Sequence, residues 1–184
     1  MGTPIDVVYT WVDDGFPGYL ELLGDHAETP HDRNPNRTRD NLELLRFSLR
    51  SLSRYAPWVG RVYLVTCRPQ LPAWLDPEAS NLTIVHHDQI IDAEVLPTFN
   101  SFAILSHLYR IEGLSDRFLY FEDDMLLGNR TLPSDFIAAP APVRDWRWDL
   151  HWLGYSESHL GWRMRSCFAI RAVNSSRSQE RCTT

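Results

Sequence analysis

Short apolar runs separated by polar breaks divide the first two thirds of the chain. Ile5-Asp6-Val7-Val8-Tyr9-Thr10-Trp11-Val12 is β-branched and aromatic, is too short for a helix of normal length, and stops at Asp13-Asp14-Gly15. That pattern predicts a buried strand closed by a turn. Residues 60–66 (GRVYLVT), closed by Pro69 and Pro72, residues 82–87 (LTIVHH) and residues 118–121 (FLYF) predict a second, third and fourth strand. Between them lie two helical patterns. In residues 38–52 the apolar positions 42, 45, 49 and 52 follow helical spacing, while Arg39, Glu43, Arg46 and Arg50 recur on another face. A second helix is predicted from about Phe99 to Ile111, stopped by Gly113. Residues 25–37, broken by Pro30 and Pro35, predict a loop. Beyond about Pro133 the pattern weakens, and the polar, Ser/Arg-rich stretch from Val173 predicts a disordered tail.

Strands alternating with helices at this spacing predict an α/β fold with a mostly parallel sheet flanked by helices. Ligands of such sheets bind beyond the carboxyl ends of the strands. Here those ends are Asp13-Asp14, Thr66, His86-His87 and Glu122-Asp123-Asp124.

Composition narrows the class without naming a reaction. With 43 % apolar and 23 % charged residues, 184 residues suit one globular domain or one large piece of a domain. The net charge of −6 argues against nucleic acid as a partner, because that partner calls for a basic stripe. All 18 basic residues are arginine, so any bound anion is expected on guanidinium or backbone N–H groups. Cys67, Cys167 and Cys182 are widely separated, which argues against a disulfide framework and a zinc site. The amino-terminal apolar stretch is far shorter than a membrane span and has no basic leader. A soluble cytoplasmic protein without a transmembrane segment is expected, with Asn36, Asn81, Asn129 and Asn174 as chance sequons.

The candidate chemistry centres on Asp123 and Asp124. Hard divalent ions take carboxylate oxygens, and a strand end fixes such oxygens where a diphosphate can complete the shell. A solvated turn is the bland reading of the same pair. The apolar run before it and Met125-Leu126-Leu127 after it favour a crowded place, where uncompensated carboxylates cost several kcal/mol. The arginine stripe has two readings as well: phosphate contacts, or surface pairs with Glu43 worth roughly 0.2–0.5 kcal/mol each. His86-His87 are either hydrogen-bonded strand-end residues or a catalytic element. Trp146, Trp148, Trp152 and Trp162 suit a core or a lid better than a sugar platform.

The segments IDVVYTWVDD, RDNLELLRFSLRSL, PWVGRVYLVTCRPQLPAWL, IVHHDQII, LPTFNSFAI and GLSDRFLYFEDDMLLG stand in one order and spacing. Together they resemble the Stealth family, which comprises capsular-polysaccharide sugar-phosphate transferases and the α/β precursor of the lysosomal-enzyme N-acetylglucosamine-1-phosphotransferase. The resemblance implies a nucleotide-sugar-transferase-like fold. It also implies transfer of a sugar-1-phosphate, usually a hexosamine phosphate, from a UDP-sugar to a glycan hydroxyl with release of UMP. The expected cofactor is a divalent cation, Mg²⁺ or alternatively Mn²⁺, and the expected partners are the UDP-sugar and a polysaccharide acceptor, at the inner face of a bacterial membrane. Residue by residue, it implies catalytic roles for Asp40, Arg46, Arg50 and His87, and a metal seat at Asp123 and Asp124, where Glu122 replaces a common Asn. It further implies substrate contacts at Thr10, Trp11, Asp13, Glu43, Asn100 and Ser101. The implied organisation is a core over residues 1–140 with the family's first two conserved regions, a Trp-rich segment over 141–172 and a tail over 173–184. Two further family regions are not recognisable after residue 140, which suggests a chain incomplete at its carboxyl end. Two other readings stay open: a metal-dependent glycosyltransferase releasing UDP, and a truncated nucleotide-sugar-binding domain without turnover.

Overall fold

The computed structural model describes residues 4–26, 42–136 and, for the backbone, 168–171. Its strands are β1 (Asp6–Thr10), β2 (Val62–Thr66), β3 (Leu82–His86), β4 (Arg117–Glu122) and β5 (Phe168–Arg171). The helices are α1 (Tyr19–His26), α2 (Leu44–Tyr55), α3 (His87–Ile90) and α4 (Ser101–Ser106). The strands form one sheet in the order β3-β2-β1-β4-β5. Strands β1 to β4 are mutually parallel, with Val7 opposite Val62 and Thr10 opposite Glu122, and β5 joins β4 antiparallel. This is the expected α/β class.

Alternation along each strand builds two cores. Val7, Tyr9, Val62, Leu64, Leu119 and Phe121 face one way and pack against Leu45 and Leu52 of α2. Val8, Tyr63, Val65, Phe118 and Tyr120 face the other way, against Ile104 of α4 and Leu108. Both faces of the parallel strands are covered, which explains why these strands read as unbroken apolar runs rather than as alternating ones. Each such side chain, nearly all at or close to full burial, contributes about 1.5–3 kcal/mol relative to exposure.

The strand bounds agree with the sequence to within a residue or two, and the helices differ more. Helix α2 begins at Leu44, because Glu43 adopts a left-handed backbone with φ of 50°, which no helix interior tolerates. Leu42, expected on the apolar face, is 65 % exposed. The helix predicted from Phe99 to Ile111 is split into α4 and a 3-10 turn at Leu108–Arg110. At the break, Ser106 Oγ donates to the carbonyl of Ala103 at 2.8 Å, and His107 Nδ1 meets the same oxygen at 2.7 Å. Both side chains compete with the helical ladder. The chain also forms α1 and β5, which its local pattern had not predicted. The Trp-rich segment up to residue 167, the stretch from 172 onward and most of the 25–37 loop lie outside the described residues.

Candidate functional site

In the strand order, β1 feeds β2 and β3 on one side and lies beside β4 on the other, so the connection reverses between β1 and β4. A cleft of about 1000 Å³ opens at the carboxyl ends of the strands, as expected at a topological switch point. Its floor and walls come from Thr10-Trp11-Val12 after β1, Cys67 to Gln70 after β2, His87-Asp88 after β3 and Glu122-Asp123-Asp124 after β4. Apolar surface from Phe16, Tyr19, Leu44, Phe99 and Ile104 closes the rest.

The acidic loop is held from behind. Ser48, on the buried face of α2, donates to the carbonyl of Met125 and lies 2.8 Å from the hydroxyl of Tyr9. Ser48 has one hydroxyl proton and directs it to Met125, so Tyr9 is the donor in the second bond. Ser51 Oγ donates to Ser48 O at 2.8 Å and accepts from Leu127 N at 2.9 Å. The backbone just beyond Asp123-Asp124 is thereby tied to the helix, and Met125 and Leu127 insert into the α2-side core. The apolar run after the acidic pair is an anchor for it.

Beneath the carboxylates, the hydroxyls of Thr10 and Tyr120 lie 2.8 Å apart and bridge β1 and β4. Burial pushes the Tyr120 phenol up to about 12, with Glu122, Asp123 and Asp124 adding to the rise and the Thr10 bond opposing it. Tyr120 therefore stays a neutral hydroxyl at any physiological pH. Tyr19 is likewise raised to about 12, first by burial and then by Cys67 and Asp14. Burial also raises the Cys67 thiol, so it is a poor candidate for a thiolate nucleophile.

His87 is 6 % exposed and lines the cleft. Burial, followed by the neighbouring His86, pushes it down to about 4, with Asp88 opposing. Its ring is neutral at pH 7, a weak base that can still accept a hydrogen bond from a hydroxyl brought into the cleft.

The structure divides the other predicted residues into two sets. Thr10, Trp11, His87, Ser101, Asp123 and Asp124 line one cleft. Asp13 lies behind its rim: its Oδ1 accepts from Gly15 N at 2.8 Å and its own N donates to Gln70 Oε1. Asn100 Oδ1 caps α4, accepting from Phe102 N at 2.9 Å and Ala103 N at 3.4 Å. Glu43 Oε2 accepts from Arg46 Nη1 at 2.9 Å, while the Arg46 guanidinium stands 6.0 Å from the ring of Trp74. Arg50 is exposed, and neither it nor Arg46 is among the cleft-lining residues. Asp40 lies outside the described residues. Sequence reasoning passed over Ser48, Ser51, Arg68, Gln70 and Tyr120; a polar residue at a helix position spaced with buried leucines, as Ser48 is with Leu45 and Leu52, was the available signal.

A divalent cation suits part of this set. Among the described residues no three His, Cys, Asp or Glu side chains converge as a metal cage. Glu122, Asp123 and Asp124 nevertheless all line the cleft on an anchored loop. One or two carboxylates with the remaining shell drawn from water and phosphate oxygens is the manner in which Mg²⁺ is held.

The family model of Stealth protein conserved region 2 matches residues 37–143, more than half of the chain. An exopolysaccharide phosphotransferase of Streptomyces coelicolor is 48 % identical over 136 residues, which is 72 % of this chain and 22 % of that protein. A capsular polysaccharide phosphotransferase of Neisseria meningitidis serogroup B is 36 % identical over 141 residues, 72 % of this chain and 37 % of that protein. The human N-acetylglucosamine-1-phosphotransferase α/β subunits are 46 % identical over 111 residues, 60 % of this chain and 9 % of that protein. The chain spans under half the length of each of these relatives. By its matched region and its co-linear motifs, this chain belongs to the Stealth family.

Proposed function

We propose that this chain forms the donor-binding part of a phosphotransferase of exopolysaccharide or capsule synthesis. It takes a UDP-sugar, a UDP-hexosamine by preference, and passes the sugar with its proximal phosphate to a glycan hydroxyl. The carrying observation is that an anchored acidic edge and a buried neutral histidine line the same cleft at the switch point of the sheet. The names of the relatives, phosphotransferases of exopolysaccharide and capsule, support the reaction class.

In this reading Asp123 and Asp124 hold a divalent cation, Mg²⁺ or Mn²⁺, which when bound neutralises charge on the diphosphate. His87, neutral, accepts a hydrogen bond from the acceptor hydroxyl and orients it; as that oxygen forms a bond to the sugar-bearing phosphorus, the bond from the phosphorus to the UMP oxygen breaks and the hydroxyl proton passes to water. Positioning and charge neutralisation carry most of such a reaction, so no covalent intermediate with the protein is required. Trp11, Phe16 and Phe99 supply aromatic surface for the nucleoside or the sugar. Thr10 acts through its bond to Tyr120, and Ser101 faces the substrate from the start of α4. Asp40, Glu43, Arg46 and Arg50 retain the roles implied by the family pattern as proposals for the whole protein. The reaction is proposed at the cytoplasmic face of the membrane; among the described residues no helix is long and apolar enough to cross it.

The test is to incubate the protein with Mg²⁺, a panel of UDP-sugars labelled in the β-phosphate and a capsule-type acceptor. UMP release with label in the glycan is expected. UDP release with an unlabelled product would overturn the reading in favour of ordinary glycosyl transfer.

A further inference from the structure

Four carboxylates, of Asp88, Glu122, Asp123 and Asp124, line the cleft, and among the described residues Arg68 is the only basic side chain that joins them, His87 being neutral. The loop that carries Arg68 is fixed at three points. Thr66 Oγ1 donates to Gln70 O at 3.4 Å, Gln70 N donates to Cys67 O at 2.8 Å, and Asp13 N donates to the buried Gln70 Oε1 at 2.8 Å. Arg68 Nε donates to Asp88 Oδ2 at 2.8 Å. No other hydrogen bond of this guanidinium is made among the described residues, so both Nη groups remain available. The side chain is 56 % exposed and its partner 50 %. A pair so exposed adds little to stability, and its chief physical effect is to orient the fork.

We propose that Arg68, held by Asp88, is the residue of this cleft that binds the diphosphate of the nucleotide donor, with Asp88 as its positioning residue. The proposal rests on the UDP-sugar reading above. A guanidinium engaged through Nε presents its two Nη donors as a pair, the arrangement that matches two phosphate oxygens. The charge distribution requires a cation there: a diphosphate brought against four carboxylates is repelled unless positive charge faces it from the protein as well as from a bound ion. Arg46 and Arg50, which the family pattern had favoured for this task, are not cleft-lining, and Arg46 already pairs with Glu43.

The test is calorimetric titration of UDP, inorganic pyrophosphate and uridine, each with Mg²⁺, into the wild-type protein and into Arg68→Gln, Arg68→Lys and Asp88→Asn. Arg68→Gln is expected to weaken UDP and pyrophosphate roughly tenfold or more while leaving uridine and the melting temperature unchanged. Arg68→Lys should recover part of the loss, and Asp88→Asn should cost a few-fold, because it releases the fork without removing it. UDP affinity unaltered in Arg68→Gln, or UDP and uridine weakened alike, would overturn the assignment while leaving the UDP-sugar reading in place. If the wild-type protein binds pyrophosphate through Arg68 but never binds UDP, the anion site stands and the nucleotide-sugar reading is the one that fails.

Discussion

At the amino end of β1 the carboxylate of Asp6 is 4 % exposed and is surrounded by donors, whereas at the carboxyl end of β4 Asp123 and Asp124 open into a cleft. Asp6 Oδ1 accepts from Arg61 N at 2.8 Å, and its Oδ2 accepts from Ser115 N at 2.9 Å and Ser115 Oγ at 2.7 Å. The approach is so close that a Cβ at Gly60 would lie 2.6 Å from Oδ1. This acid pins two connections to the bottom of the sheet. Both of its oxygens are taken up by these donors. The acids at the other end sit on a loop whose backbone is tied behind them by Ser48 and Ser51, and they line the cleft. The same residue type is enclosed by backbone and hydroxyl donors at one end of the sheet and lines a cleft at the other.

Exchanging the acids tests this contrast. Asp6→Ala leaves three donors without their acceptor and should cost about 3 kcal/mol, read as a fall in the denaturant midpoint, with little change in residual ligand affinity of the folded fraction. A stability equal to wild type would remove the architectural half of the comparison.

The next largest effect is expected from pH. His87 is held at about 4 in the folded state against an ordinary 6.5. As pH falls below about 6.5 the unfolded chain takes up the proton first, so stability is fully present above that pH and is lost progressively down to about 4, by at most about 3 kcal/mol. Denaturant titrations across that window should record the loss, and His87→Gln should flatten it. A slope that His87→Gln leaves unchanged would mean that another group titrates there.

Ser48→Ala removes the acceptor of Tyr9 and the donor to Met125 and should cost roughly 1–2 kcal/mol. Because the acidic loop loses its anchor, cation affinity should weaken with it. Weakened folding with unchanged cation affinity would show that the loop is positioned by other contacts. The smallest stability effect belongs to Asp124→Asn, an exposed residue, which should shift the midpoint by less than about 0.5 kcal/mol.

The parallel strands were legible in the sequence because burial on both faces forces runs such as Val7-Val8-Tyr9 and Phe118-Leu119-Tyr120-Phe121. Their carboxyl ends identified the cleft, and the motifs identified the family. The arginine stripe of α2 left two readings open for a physical reason: charges at helical spacing look alike on a wet face and in a site. Only the tertiary positions separate Arg46, beside Trp74, from Arg68, in the cleft. Helix α1 buries no residue and so leaves no strong apolar stripe. Strand β5 pairs with residues about fifty positions earlier, and nothing within four residues announces such a partner.

The most direct measurement is titration of a UDP-sugar into the wild-type protein and Asp124→Asn, each with Mg²⁺ and with a chelator. Binding that needs Mg²⁺ in the wild type and disappears in Asp124→Asn, with both proteins equally folded, is the result expected if Asp124 helps to hold a cation in the cleft. Binding that ignores both the chelator and the substitution would contradict it.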